Sequence, residues 1–198
     1  MPVLKEKLVL ASKSVRRAEI LEAVGWPFEQ IAANVDESRL VFEDAATYVE
    51  RLARAKAETV AKKIPAGLVL GADTVVVIDG EILGQPLNDQ EARRMLKLLS
   101  GKWHDVLTSI ALVRAGQPSR ALVAHQTTRV SFCEIGTEEI DWYVSTGEPS
   151  DKAGAYAIQG KGALFIKEIR GDYFNVMGLP VRLVYDLLSK ERGEDGGC

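Results

Sequence analysis

Short unbroken apolar runs alternate along the chain with longer stretches in which apolar positions return every three or four residues, the pairing expected of buried strands and amphipathic helices. "LVLA" at 8–11 is a run of the first kind. Ser14 then offers a helix N-cap, and Val15, Ile20, Leu21 and Val24 follow at helical spacing until Gly25-Trp26-Pro27 stops the helix before a second strand, "FEQIAA". A long helix is predicted over about 43–63, with Ala45, Ala46, Val49, Leu52, Ala53 and Val60 on one stripe and Pro65 and Gly67 past its end. "LVLGADTVVVIDGEIL" at 68–83 predicts a buried strand, an interruption at Gly71 to Thr74, and a hairpin turning at Asp79-Gly80. Asn88 with Glu91 forms an Asx variant of the capping box for a helix to about Leu99, and β segments follow near 103–114 and 120–134. A helix over 137–145 comes next. "DKAGAYAIQGKGALFIKEIRGDYFNVMGLP" then supplies a glycine-punctuated loop, a strand and a turn, and Pro180 at a first helical position opens a last helix to about Lys190. Without a repeat or a linker, the class is α/β, with 1–190 as one domain and 191–198 as a disordered tail.

Composition narrows the partners more than the fold. The chain has 198 residues, of which 46% are hydrophobic, enough for a sizeable core. No run approaches the roughly eighteen apolar residues of a membrane helix, and the start "MPVLKEKLVLA" lacks the pattern of a signal peptide, so a cytoplasmic protein is expected. Cys133 and Cys198 have neither the spacing of a disulfide framework nor that of a metal site. A net charge of -3 argues against a broad nucleic-acid or membrane-binding face; any polyanion must be small and gripped locally.

The candidate chemistry begins with an electrostatic oddity. Arg16 and Arg17 fall in the first turn of the helix after Ser14, next to the positive end of its dipole, where an anion is favoured and a cation is not. A phosphate at a strand, Ser-x-Ser turn and helix N-terminus would resolve this; arginine stems covering apolar surface would explain it equally well. Lys56 lies on the inward stripe of the long helix, either snorkelling from its edge or projecting into the same site. Asp73 and Thr74 follow an apolar strand, where open α/β sheets place ligand crevices, although an Asp in a turn often bonds only to backbone. Asp36 and Glu37 add acids that could share a divalent cation with Asp73 on a polyphosphate. "GAYAIQGKG" at 154–162 has five residues between Gly154 and Gly160 where a Walker A motif has four, so it is no P-loop, yet its glycines permit close approach to a ligand and Gln159 could read a base edge. His104 and His125 have no ligand spacing and take ordinary packing or surface roles, and Trp26, Trp103 and Trp142 are expected to be buried packing residues unless they anchor an interface.

Taken in order, "LASKSVRR", "VDE" at 35–37, "RLARAKA" at 51–57, "GADTVV" at 71–76, "DKAGAYAIQG" at 151–160 and "GDYFNVMGLP" at 171–180 resemble the Maf family of nucleoside triphosphate pyrophosphatases over nearly the whole chain. The resemblance implies an inosine-triphosphatase-like α/β fold, an elongated mixed twisted sheet flanked by helices in two lobes with a central cleft. It also implies hydrolysis of a nucleoside triphosphate to the monophosphate and pyrophosphate, a Mg2+ or Mn2+ cofactor and a homodimer. Carried over residue by residue, the family's positions fall on Ser12, Arg16, Arg17, Glu37, Lys56, Asp73, Thr74 and Gln159. Catalysis is expected from Asp73, Lys56, Glu37 and Arg17, with Asp73 or Glu37 as the base, metal binding from Asp73 and Glu37, and substrate binding from Ser12, Ser14, Arg16, Arg17, Thr74, Gln85, Gln159, Gly160 and Lys161. Gly-Ala-Asp-Thr with Tyr-x-Ile-Gln-Gly follows the branch that resembles dTTP and UTP pyrophosphatases rather than the branch acting on 7-methyl-GTP. The alternatives are that other substrate, a modified nucleotide, or a non-catalytic nucleotide-binding regulator of cell division. Two departures stand out. Val15 replaces a helix-starting proline, and Gln85 stands where a phosphate-contacting lysine is expected, with Lys161 the candidate to replace it.

Overall fold

A computed structural model of the chain describes residues 6–117 and 120–193. Of the tail predicted over 191–198, Glu191 is instead the last residue of a helix, and 194–198, Cys198 included, lie outside the described residues. The first three elements follow the apolar pattern: β1 (Leu8–Leu10), α1 (Val15–Ala23) capped by Ser14, and β2 (Phe28–Gln30). They form a βαβ unit, since β1 and β2 pair in parallel with Leu8 opposite Phe28. Next come α2 (Ala45–Ala61), capped by Asp44, and β3 (Leu68–Ile78), which lies parallel to β1 on its other side with Leu8 opposite Leu68. β4 (Glu81–Leu83) returns antiparallel on β3 through Asp79 and Gly80, both at positive φ, the two-residue turn the sequence predicts. The remaining elements are α3 (Asp89–Leu99), β5 (Trp103–Arg114), β6 (Ala121–Phe132), α4 (Thr137–Ser145), β7 (Ile166–Arg170), the short α5 (Tyr173–Met177) and α6 (Val181–Glu191). Sheet order is β2-β1-β3-β5-β6-β7 with β4 paired to β3, a seven-stranded mixed sheet. No helix among the described residues is long and apolar enough to cross a membrane.

The described residues divide into two compact units, one built from 6–73, 108–117, 120–126 and 178–193, the other from 74–107 and 127–177. In the first, the core is made of small residues: Val9 on β1 and Ala11 just after it, Val69 on β3, Ala111 and Val113 on β5, and Ala53, Ala57 and Val60 on α2. In the second it is aromatic, with Phe132, Tyr143, Tyr156 and Phe165 packed among Leu96, Leu99 and Val130. His104 joins this core edge-on, 5.0 Å from the Phe132 ring and with its Nε2 2.8 Å from the Tyr156 hydroxyl. Burial pushes its pKa down to about 4, so it is a neutral packing residue.

Several expectations need correction. The interruption predicted at Gly71 to Thr74 does not exist: β3 runs unbroken for eleven residues. Glycine is present there for closeness, because a Cβ at Gly71 would stand 2.2 Å from the Ala53 carbonyl oxygen and 2.8 Å from the Ala57 nitrogen of α2. Both obstacles are helix backbone and cannot turn aside. Gly71→Ala is therefore expected to destabilise the protein by about 3 kcal/mol, the upper end of overpacking, and to lower Tm by roughly 6–12 °C in a thermal melt. Pro180 is the residue before α6 rather than its first residue. Asn88 caps α3 through the Glu91 N–H, but the Glu91 carboxylate binds Arg94 instead of completing the box. Trp142 is exposed rather than packed, while the guanidinium groups of Arg129 and Arg170 lie against the Trp103 ring, 5.2 and 4.6 Å from its centroid.

Candidate active site

The turn after β1 is organised around Ser12. Its buried hydroxyl accepts from the Ser14 N–H at 3.1 Å and from Arg17 Nη1 at 3.2 Å, while Ser14 Oγ caps α1 by accepting from the Arg17 N–H at 3.4 Å. Gln30, at the end of β2, donates Nε2 to the Ser12 carbonyl at 2.9 Å and fixes the turn from the other side.

Arg17 answers the oddity of a cation in this first turn differently from the sequence expectation. Its guanidinium is inserted among carbonyl oxygens, with Nε donating to Gly178 at 2.7 Å and Nη1 to Ala72 at 2.8 Å. These partial negative charges, with the nearby Asp73 carboxylate, accommodate a cation that the helix end alone would disfavour. Burial lowers its pKa and Asp73 opposes that shift. Arg17 thus ties the α1 turn to the residue preceding Asp73. Arg16, one position earlier, is half-buried and its charge acts against that of Arg17.

Asp73 sits on β3, buried, and faces Lys56 from the inward stripe of α2. The Lys56 ammonium lies 2.6 Å from Asp73 Oδ1 and 2.8 Å from Glu37 Oε1, bridging the two acids. Side-chain exposure is 12% for Lys56 and 57% for Glu37, so the Asp73 side of the bridge is desolvated and the Glu37 side is screened by water. Burial raises the Asp73 pKa above the ordinary carboxyl value; Lys56 and Arg17 pull against it, and Glu37 adds to it. Asp36, by contrast, is used in a local turn, accepting from the Ser38 N–H at 2.9 Å.

Among the described residues, no three His, Cys, Asp or Glu side chains gather as a metal site. Two carboxylates around one cationic position are nevertheless the donor set that Mg2+ commonly takes from a protein when phosphate oxygens and water complete its octahedron. Asp73 and Glu37 fit that requirement.

The other expected residues belong to the second unit. Thr74 follows Asp73 on β3 and is half-buried. Gln85 is exposed and donates Nε2 to the Asp151 carbonyl at 3.1 Å. Gln159 is exposed and leads into a 3-10 turn over Gly160–Phe165, with Gly160 at φ 83°. The Glu148 carboxylate shapes this turn, accepting from the Lys161 N–H at 3.1 Å, the Gly162 N–H at 3.0 Å and the Tyr143 hydroxyl at 2.9 Å. A Cβ at Gly160 would meet Glu148 Oε2 at 2.7 Å, so glycine serves both the φ and the space. Lys161 occupies an exposed position, whereas the Lys152 side chain is mostly buried and paired with Asp151.

Sequence reasoning missed Gln30, Glu148, Lys152 and the α2 residues Tyr48 and Arg51. Arg51 and Lys152 had a signal, as the first residue of "RLARAKA" and the second of "DKAGAYAIQG".

A family model described as Maf-like protein matches residues 7–191. A dTTP/UTP pyrophosphatase of Symbiobacterium thermophilum is 50% identical over 185 residues, 93% of this chain and 94% of that protein. Another of the same name, from Syntrophus aciditrophicus, is 51% identical over 94% of this chain and 90% of its own length. A third, from Bacillus cytotoxicus, is 46% identical over 95% and 97%. Among solved structures, a HAM1 protein from Coxiella burnetii aligns with a TM-score of 0.53 at 18% identity, covering 93% of this chain and 98% of its own. The Staphylococcus aureus Ham1 protein aligns at 0.54 with 15% identity, covering 93% and 99%. The two structures establish a shared α/β fold and no more, but the family model spans almost every described residue that forms the Ser12, Arg17, Lys56 and Asp73 constellation and its surroundings, and with the relatives it shows that the chain belongs to the Maf-like protein family.

Proposed function

We propose that the chain is a nucleoside triphosphate pyrophosphatase that hydrolyses dTTP and UTP to the monophosphate and pyrophosphate. The carrying observation is the Lys56 ammonium between Asp73 and Glu37, next to the Ser12 turn and Arg17. Buried positive charge beside carboxylates suits an anhydride whose leaving group gains negative charge in the transition state. The names of the relatives, each a dTTP/UTP pyrophosphatase, support the substrate.

In this reading Ser12, Ser14, Arg16 and Arg17 bind the phosphates at the α1 N-terminus. Lys56 stabilises the charge that develops as the bond from the α-phosphorus to its bridging oxygen breaks. Asp73 takes a proton from the attacking water: burial raises its pKa above the ordinary aspartate value, which strengthens it as a base. Asp73 and Glu37 would hold a divalent cation, Mg2+ or Mn2+, whose Lewis acidity would neutralise phosphate charge. Thr74, Gln159 and Gly160 read the pyrimidine, and Lys161 supplies the cation that Gln85 lacks. The enzyme works in the cytoplasm as a homodimer, clearing surplus or modified pyrimidine nucleotides.

The test is a nucleotide panel with Mg2+, read as pyrophosphate and monophosphate released. Release from dTTP and UTP well above that from purine triphosphates is expected. Binding without release would replace the enzyme by a nucleotide-sensing regulator, and a preference for 7-methyl-GTP would move the chain to the other substrate.

A further inference from the structure

We propose that Arg51 is a positioning residue for Glu37, acting through the backbone of the 31–44 segment; this rests on the pyrophosphatase reading above. That segment connects β2 to α2 with no strand, and its residues 36–42 are exposed, so its course near Glu37 is fixed by hydrogen bonds rather than by burial. Side chains on successive turns of α2 supply two of these bonds. The Tyr48 hydroxyl donates to the Glu37 carbonyl at 2.7 Å, and Arg51 Nη2 donates to the Ser38 carbonyl at 3.0 Å.

Arg51 also grips the far end of the segment. Its Nε and Nη2 reach the two oxygens of Glu43 at 2.6 and 2.8 Å, a bidentate pair, and Glu43 Oε2 accepts from the Leu40 N–H at 3.0 Å. The Glu43 side chain is only 3% exposed, and Arg51 holds its carboxyl at about 2. This clamp therefore stays ionised at every pH at which catalysis is measured.

Apolar burial anchors only the start of the segment, where Ile31 and Ala33 pack against the core and Val35 is half-buried. Leu40, Val41 and Phe42 at the tip are all exposed, and Phe42 adopts φ 64°, a left-handed conformation that a Phe reaches only when its surroundings impose it. What imposes it is the Leu40–Glu43 turn closed by Arg51. One guanidinium thereby sets where Ser38, and with it Glu37, stands relative to Lys56 on the same helix.

The measurement is a double-mutant cycle on Mg2+-dependent pyrophosphate release from dTTP. Arg51→Met is expected to lower kcat by roughly 10- to 100-fold, the size of effect that a misplacement of about 1 Å can produce. KM should change by less than about threefold, and Arg51→Lys should recover part of the loss, because a single ammonium keeps the charge without the fork. In a Glu37→Gln background Arg51→Met should cost nothing further, since both changes disable one carboxylate. Losses that multiply in the double variant overturn the proposal, as does a wild-type kcat for Arg51→Met. Should Arg51→Met not fold by circular dichroism, Tyr48→Phe, which removes only the hydroxyl donor to Glu37, takes its place in the cycle: a loss absent from the Glu37→Gln background supports the proposal, and multiplying losses or a wild-type kcat overturn it. Trypsin cleavage after Arg39 gives a readout independent of activity: roughly tenfold faster cutting in Arg51→Met is expected of a released segment, and an unchanged rate rejects the strut. If the wild type releases no pyrophosphate from any nucleotide, the pyrophosphatase reading fails while proteolysis still tests the strut.

Discussion

Asp73→Asn is expected to lower kcat by about a thousandfold, within the range of 10² to 10⁴ typical of a lost general base, while dTTP binding measured directly changes only severalfold. The asparagine oxygen can still accept from the Lys56 ammonium, which in the native protein stands 2.6 Å from Oδ1, so the arrangement of α2 against β3 is retained. What is lost is the ability to take a proton. Since burial raises the Asp73 pKa, the acid limb of kcat/KM in the native enzyme should lie above the pH at which an ordinary aspartate titrates, and activity should fall as pH drops through it. Glu43 cannot produce that limb, because Arg51 holds it at about 2. In Asp73→Asn the limb should disappear along with the rate. A variant that keeps more than a tenth of native kcat with the limb intact would remove Asp73 from the base position.

The fold was legible where one period dominated. β1, α1 and the capped α2 follow from a four-residue apolar run, a Ser N-cap and a stripe returning every three or four residues. β3 was misread because Gly-Ala-Asp-Thr has the composition of a turn, whereas its glycine answers to the Ala53 carbonyl on the preceding helix, a contact no local pattern encodes. The same division runs through the site. Lys56 on an inward stripe and Asp73 beyond an apolar run could be placed as candidates from their elements, and they meet. Arg17 could be placed at its helix end, but not its partner, the carbonyl of Gly178 far along the chain. Glu37 is the extreme case: its segment has no periodicity, and its position depends on Tyr48 and Arg51, whose roles emerge only when α2 packs beside it. Local propensity locates side chains on elements; long-range hydrogen bonds decide which of them act together.

Lys56→Met should be nearly as damaging, with kcat reduced by about 10²- to 10³-fold as one preorganised cation is removed from the developing charge. Its pH signature separates it from Asp73→Asn. Lys56 is the strongest influence opposing the burial that raises the Asp73 pKa, so without it that pKa must rise further and the acid limb must move to higher pH rather than vanish. Stability follows with a definite sign. A carboxyl whose folded pKa lies above its unfolded value binds its proton more tightly in the folded state, so stability falls as pH rises through the folded pKa. The Tm deficit of Lys56→Met relative to the native protein should therefore be smallest in acid, where Asp73 is protonated in both, and grow toward neutrality. Arg17, the remaining cation that lowers the Asp73 pKa, limits the growth without abolishing it. A Tm difference independent of pH, or an acid limb that stays in place, would mean that the 2.6 Å pair does not set the ionisation of Asp73, and the buried bridge could no longer explain how this site organises its charge.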